Sequence, residues 1–343
     1  MRPSDIKEMV EIYVQANMPI GMYGAPGVGK TSIASQVASQ LDYDWWVFYA
    51  GTAEPTDING FPVLIDKQPE FVPYANLKKL IDANRPTLAF FDDIDKAPHA
   101  IQSTLMNLFD SRTIGGHKIS DEVRFVSAGN DKSHKAGSFG IIEPIKTRFH
   151  TWVEITPNRD DFVRWGWEKQ LNPILLGWCR HLPKPELLFD FKPTYDYTMT
   201  GSPRTLHHLS DVINLTLPKR LRQEAYTSTI GQDLASSYLS FEAICDKLPD
   251  YRLVFHDPDN APIPDDPMVI YAMMTNLVPE VTTDTLNALI KWCDRIEQAP
   301  HYRKDISMAI IVDVWHAHKE FKKTKEFMRW TLDHKDIYCQ ETR

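Results

Sequence analysis

Gly24-Ala25-Pro26-Gly27-Val28-Gly29-Lys30-Thr31 follows a short apolar run (Ile20, Met22, Tyr23) and opens a segment where Ile33, Ala34, Val37, Ala38 and Leu41 recur at helical spacing. Strand, glycine-rich turn and helix, in that order, are the context a phosphate-binding loop requires. The glycines let successive backbone N–H groups curl toward phosphate oxygens, and the helix N-terminus adds a favourable dipole. Lys30 supplies a mobile cation for β- and γ-phosphates, and the Thr31 hydroxyl is suited to Mg²⁺. A Gly-Pro-Gly turn that merely precedes a lysine would lack the flanking strand and helix. A nucleoside triphosphate is the expected ligand.

Such a loop needs a carboxylate at the end of a neighbouring strand. Leu88-Ala89-Phe90-Phe91-Asp92-Asp93 supplies it: an apolar strand ending in two acids. Asp92 is expected to hold Mg²⁺ through water, and Asp93 to polarise the attacking water as general base. Acids also end strands as helix caps, a task open here to Asp95 and the following Lys96-Ala97-Pro98. A further strand, Phe125-Val126-Ser127-Ala128, ends in Gly129-Asn130, whose amide can hold the attacking water or simply form a turn.

Around these motifs the first half alternates strands and helices. A helix over 4–16 leads to a strand over 19–23, the loop, and a helix over 31–41. Further strands are read at Trp45–Ala50, an aromatic-rich run taken as buried, at 87–91, at 123–128 and at 150–155. Intervening helices imply a doubly wound parallel sheet covered on both faces. Two hairpin inserts interrupt it, at about 59–73 around the turn Asp66-Lys67-Gln68-Pro69, and at about 111–124 around Gly115-Gly116. Beyond residue 160 strands disappear, and long helices are read at 160–180, 203–215, 219–230, 234–247, 266–277, 283–298 and 305–330. The predicted organisation is an α/β nucleotide-binding core over 1–182 and an all-α domain with a C-terminal helical extension over 183–343.

Composition bounds the function. The chain has 343 residues, 43% hydrophobic and 24% charged, with a net charge of −8. No basic block suggests a nucleic-acid surface; Lys319, Lys322, Lys323, Lys325 and Arg329 read as a solvated helix face. No apolar run is long enough to span a bilayer, and the N-terminus shows no export signal. The four cysteines, Cys179, Cys245, Cys293 and Cys339, form no CxxC pair, which fits a reducing cytoplasm. His207-His208 and His316-Ala317-His318 lack metal-ligand spacing.

Taken together, GAPGVGKT (24–31), EPTDINGFPV (54–63), FFDDIDKAPHAIQSTLMNLFD (90–110), FVSAGN (125–130), IKTRFH (145–150) and GSPR (201–204) resemble the AAA+ ATPases, and within them the MoxR-like branch. The resemblance is specific over about 18–215. It implies a P-loop core with a helical lid, ATP and Mg²⁺ as cofactors, and a nucleotide cradle of Gly24, Ala25, Pro26, Gly27, Val28, Gly29, Lys30, Thr31 and Ser32. Asn130 is similar to the sensor-1 asparagine, Arg148 to the arginine finger acting on a neighbouring subunit, and Arg204 to the sensor-2 arginine of the lid. The Asp57-Ile58-Asn59-Gly60 run resembles the start of that branch's helix-2 insert, and the hairpin around Gly115-Gly116 its pre-sensor-1 insert. A homo-oligomeric, hexameric ring and a protein client, such as a von Willebrand factor A domain protein, are implied partners. One departure stands out: the family's Asp-Glu is Asp92-Asp93 here, a carboxylate one methylene shorter, so slow or partner-gated hydrolysis is expected. A motor acting on nucleic acid and a slow nucleotide-sensing scaffold are the competing functions.

Overall fold

The computed structural model describes residues 1–131, 133, 137–194, 196–299 and 304–334. Cys339 lies outside them. The chain forms two compact units, Met1–Pro157 with Phe191–Tyr197, and Asn158–Asp190 with Thr198–Arg343.

The first unit begins with helix α1 (Pro3–Gln15), strand β1 (Ile20–Tyr23), helix α2 (Lys30–Gln40) and strand β2 (Asp44–Tyr49). A short helix α3 (Pro55–Asn59) leads into the hairpin β3 (Phe61–Ile65) and β4 (Gln68–Val72), then helix α4 (Ala75–Ile81) and strand β5 (Thr87–Asp92). Helix α5 (His99–Ser111), the small hairpin β6 (Thr113–Ile114) and β7 (His117–Lys118), strand β8 (Val123–Gly129), helix α6 (Glu143–Lys146) and strand β9 (Thr151–Glu154) complete it. The main sheet is parallel, in the order β2-β5-β8-β1-β9.

Both sheet faces are covered, as the unbroken apolar strands require. Successive residues of β5 alternate between them: Leu88 and Phe90 pack with Ile6, Val10, Ile20, Met22 and Val37 on the α1–α2 side. Ala89 and Phe91 pack with Trp46, Leu105, Phe109 and Phe125 on the α5 side. The Trp45–Ala50 run, expected to be buried, is instead an edge strand. Its Trp45 and Tyr49 are 38% and 59% exposed, because only β5 pairs with it. The first insert turns at Asp66-Lys67 alone, both with positive φ, so Gln68-Pro69 belong to β4 rather than to the turn.

The second unit is helical among its described residues. It comprises α7 (Arg159–Glu168), α8 (Pro173–His181), α9 (Pro203–Asn214), α10 (Lys219–Ile230), α11 (Gln232–Cys245), α12 (Leu253–His256), α13 (Pro267–Glu280), α14 (Leu286–Gln298), α15 (Lys304–Ala317) and α16 (Lys325–Asp333). Two long helices read from the sequence are each divided. The 160–180 segment breaks where Gln170 takes φ 57° and Asn172 caps a new helix with Pro173 in its first turn. The 305–330 segment breaks at a 3₁₀ turn, Lys319–Lys323, after which the Thr324 hydroxyl caps α16.

The unit boundary falls at Pro157, not at 182. Phe162, Val163, Trp167, Leu175, Leu176 and Trp178 of α7 and α8 share one buried cluster with α13, α14 and α15, so residues 158–182 fold with the second unit. Among the described residues no helix is long and apolar enough to cross a membrane.

Candidate functional site

The strand order decides where polar groups can meet. The sheet places β8 between β5 and β1. The phosphate loop after β1, the acids ending β5 and the amide after β8 therefore emerge side by side. Ligands of open parallel sheets bind at these carboxyl ends.

Gly29 caps α2 with φ 104°, a conformation open to glycine, and a Cβ built there would meet nothing within 4 Å. The amino end of α2 thus faces open space. Val28 turns inward among Ile33, Val37 and Ile155, anchoring the loop to the core. Ser32, on the following turn, is exposed and accepts a 3.0 Å hydrogen bond from Gln36 Nε2.

Lys30 is only 7% exposed. Its ammonium donates to Gly24 O at 2.9 Å, Ala25 O at 3.1 Å and Asn130 Oδ1 at 3.0 Å, which matches its three N–H groups. Burial pushes its pKa down to about 8, against the opposing pull of Asp92, Asp93 and Asp95.

Thr31 Oγ1 donates to Asp92 Oδ2 at 2.8 Å, while Asp92 Oδ1 accepts the Asp93 N–H at 3.0 Å. Burial raises the Asp92 pKa, opposed by the Thr31 hydrogen bond. A half-buried carboxylate beside a hydroxyl oxygen is a donor set for a hard divalent cation, and an added positive charge would relieve the cost of burying the carboxylate. The residues fit Mg²⁺.

Asn130 joins the two halves of the site. Its side-chain oxygen accepts from Lys30, and Nδ2 donates to Asp93 Oδ1 at 3.0 Å. Its own N–H donates to Asp95 Oδ1 at 2.8 Å. Asp93 Oδ2 meets Lys96 Nζ at 2.8 Å. Lys30, Asn130, Asp93 and Lys96 thus form one chain of charge-assisted contacts across three strand ends.

Two supporting residues escaped the sequence reading. Asp95, considered there only as a cap, is fully buried; its backbone oxygen also accepts from Phe139 N and Gly140 N. Gln102, likewise fully buried, donates to Ala97 O and Gly140 O and accepts from Ile142 N. Together they hold the backbone of Phe139, Gly140 and Ile142. The one hint in the sequence was a third acid, where a single strand-end acid would suffice for capping.

Arg148 stands outside this network: it donates to Pro144 O at 2.7 Å and pairs with Asp110 at 3.5 Å. Arg204 belongs to the second unit, in the first turn of α9, where Ser202 and Thr205 form a reciprocal cap.

Residues 19–149, within the first unit, match the family model described as AAA domain (dynein-related subfamily). A Holliday junction branch migration complex subunit RuvB from Acholeplasma laidlawii is 27% identical over 118 residues, 32% of this chain and 30% of that protein. An uncharacterized protein of Acanthamoeba polyphaga mimivirus is 24% identical over 214 residues, 60% of this chain and 36% of that protein. The matches thus span about a third of the curated relatives. Among solved structures, a RuvB variant from Thermotoga maritima aligns over 83% of this chain and 84% of its own, at 15% identity and a TM-score of 0.42. NtrX from Brucella abortus in complex with ADP aligns over 98% of this chain and 67% of its own, at 14% identity and a TM-score of 0.43.

Proposed function

We propose that this chain is a Mg²⁺-dependent ATPase of the MoxR-like branch of the AAA+ proteins, working in the cytoplasm as a homo-oligomeric, hexameric ring that remodels or activates a protein client. The observation that carries the hydrolytic part is the Asn130 bridge, which ties the loop lysine to a strand-end carboxylate within one hydrogen-bonded chain. Lys30 exchanges the Gly24 and Ala25 carbonyls for phosphate oxygens, keeping its charge where the reaction needs it. Bound Mg²⁺, held through Thr31 and Asp92, would neutralise charge on the phosphates. Asp93 takes the proton of the attacking water as the new P–O bond forms and the bond to ADP breaks. Arg148 serves a neighbouring subunit and Arg204 the lid. A von Willebrand factor A domain protein is the proposed client, on the strength of the insert motif at 54–63.

The RuvB similarity favours a second reading, a ring motor on nucleic acid. The net charge of −8 weighs against it. Steady-state phosphate release, measured with and without duplex DNA at moderate salt, tests both. Hydrolysis that falls by about 10²–10⁴ in Asp93→Asn and is indifferent to DNA supports the first reading. Strong DNA stimulation supports the second. Equal rates for wild type and Asp93→Asn would leave only a nucleotide-sensing scaffold.

A further inference from the structure

Asp93 begins the 3₁₀ turn Ile94–Lys96, with the Lys96 N–H donating to Asp93 O at 2.9 Å. Side chains three residues apart eclipse on such a turn. The Lys96 ammonium therefore stands over the Asp93 carboxylate and reaches Oδ2. The other oxygen, Oδ1, is the one that Asn130 holds on the Lys30 side. The two oxygens of one short carboxylate are thus assigned different partners on different elements.

The backbone shares in this arrangement. Asp93 sits at φ 52°, ψ 39°, the left-handed region that costs an L-residue roughly 1–2 kcal/mol. Opposite it, a Cβ built on Gly51 would lie 3.0 Å from Lys96 Cβ and 3.7 Å from Asp93 Cβ. The bare backbone at Gly51 is what leaves room for the Lys96 stem in this position.

We infer that Lys96 is a positioning residue for hydrolysis: it anchors Oδ2 of Asp93 so that Oδ1, beside Asn130, is the oxygen presented to the attacking water. The inference rests on the reading of Asp93 as the base. Anchoring one oxygen fixes the plane of a carboxylate that is a methylene too short to reach by itself, and misplacement of about 1 Å costs on the order of 10²-fold in rate. The pair contributes little to folding, since both side chains are about a third exposed, at 33% and 36%. Its effect therefore belongs in turnover rather than in melting.

The test measures phosphate release and nucleotide affinity in the full chain with Mg-ATP. Lys96→Met lowers kcat by about 10- to 100-fold with KM and melting temperature unchanged. Lys96→Arg restores most of the rate, and Gly51→Ala lowers it by crowding the Lys96 stem. A wild-type kcat in Lys96→Met, or a loss that Lys96→Arg fails to restore, overturns the inference. So does a parallel loss of melting temperature and nucleotide affinity, which marks a structural role. Asp93→Asn turning over at the wild-type rate removes the base reading itself, and Lys96 with it. An inactive Asp93→Asn beside a fully active Lys96→Met removes the role of Lys96 alone.

Discussion

The carboxyl ends of the parallel sheet and the β3–β4 hairpin lie in the same unit and treat their side chains in opposite ways. At the strand ends, polar groups are withdrawn from water and matched to one another; Lys30 uses all three donors, and Asn130 serves Lys30 and Asp93 at once. Asp95 Oδ2 is the exception, buried without a partner among the described residues. In the hairpin, apolar groups are left in water: Phe61, Leu64, Ile65, Phe71 and Val72 are 54%, 76%, 42%, 46% and 42% exposed. Cross-strand register puts Phe61 opposite Val72 and Pro62 opposite Phe71, so both faces of this two-stranded ribbon carry apolar side chains. The hairpin is attached at its base, where His117 Nε2 lies 3.0 Å from Phe71 O and Gly115 approaches Asn59 O too closely to accept a Cβ. Buried polar groups are retained where chemistry needs them. Exposed apolar groups contribute little to folding.

The largest effect would come from a charge missing from the strand-end network. Arg148 is held by Pro144 O and Asp110, away from Lys30, Asp93 and Asn130. If it completes the site of a neighbouring subunit, Arg148→Ala should lower kcat by about 10³–10⁵. Mixing Arg148→Ala with Lys30→Ala protein should then partly restore phosphate release, because some interfaces pair an intact loop with an intact arginine. Mixed rings as inactive as either variant alone would show that the network within one chain is already complete, and Arg148 would leave the mechanism.

The same substitution made in the two regions sharpens the contrast. Phe91 is fully buried, with ring centroids 4.9 Å from Phe109 and 5.6 Å from Trp46, whereas Phe71 is 46% exposed. Phe91→Ala should destabilise by about 3–5 kcal/mol in urea unfolding, and Phe71→Ala by about 0.5 kcal/mol or less. A large loss for Phe71→Ala would mean that something covers the hairpin in the folded protein.

How much of this was legible in the sequence follows from the range of the interactions involved. The loop 24–31 was readable because its function depends on neighbours in the chain, and Asp92, Asp93 and Asn130 because each ends an apolar strand. Their convergence on Lys30 needed the strand order, which spacing alone does not give. Asp95 and Gln102 were missed because their partners, Asn130, Gly140 and Ile142, are 35 to 40 residues away. Trp45 and Tyr49 read as core, since an edge strand and a central one share the same composition; pairing partners, not residue types, separate them. The division of 160–180 was foreshadowed by Asn172-Pro173, a cap followed by a first-turn proline, whose signal the surrounding helical periodicity masked. The 1–182 boundary erred for a related reason. Helices α7 and α8 follow the last sheet strand in sequence, yet their apolar faces pack with α13, α14 and α15.

The smallest effect tests whether burial at the strand ends has the electrostatic consequence assigned to it. Lys30 titrates at about 8 without nucleotide because burial disfavours its charged form. Phosphate oxygens favour that form, so nucleotide binding should raise the Lys30 pKa above 8 and take up a proton in alkaline solution. Affinity should therefore be flat below pH 7 and weaken above pH 8, by at most tenfold per pH unit, or about 1.4 kcal/mol. Stability of the nucleotide-free protein should run the other way. The unfolded chain keeps this proton to about pH 10.4, the folded chain only to about 8, so between those values the unfolded state binds more protons and stability rises with pH. Two opposite slopes from one residue are hard to mimic. Both should vanish in Lys30→Met, when the difference from wild type is followed by nucleotide titration and by urea unfolding across pH 7 to 10. A wild-type affinity that stays flat to pH 9.5 would mean the ammonium is not desolvated at the strand ends, and the contrast with the solvated hairpin would lose its electrostatic half.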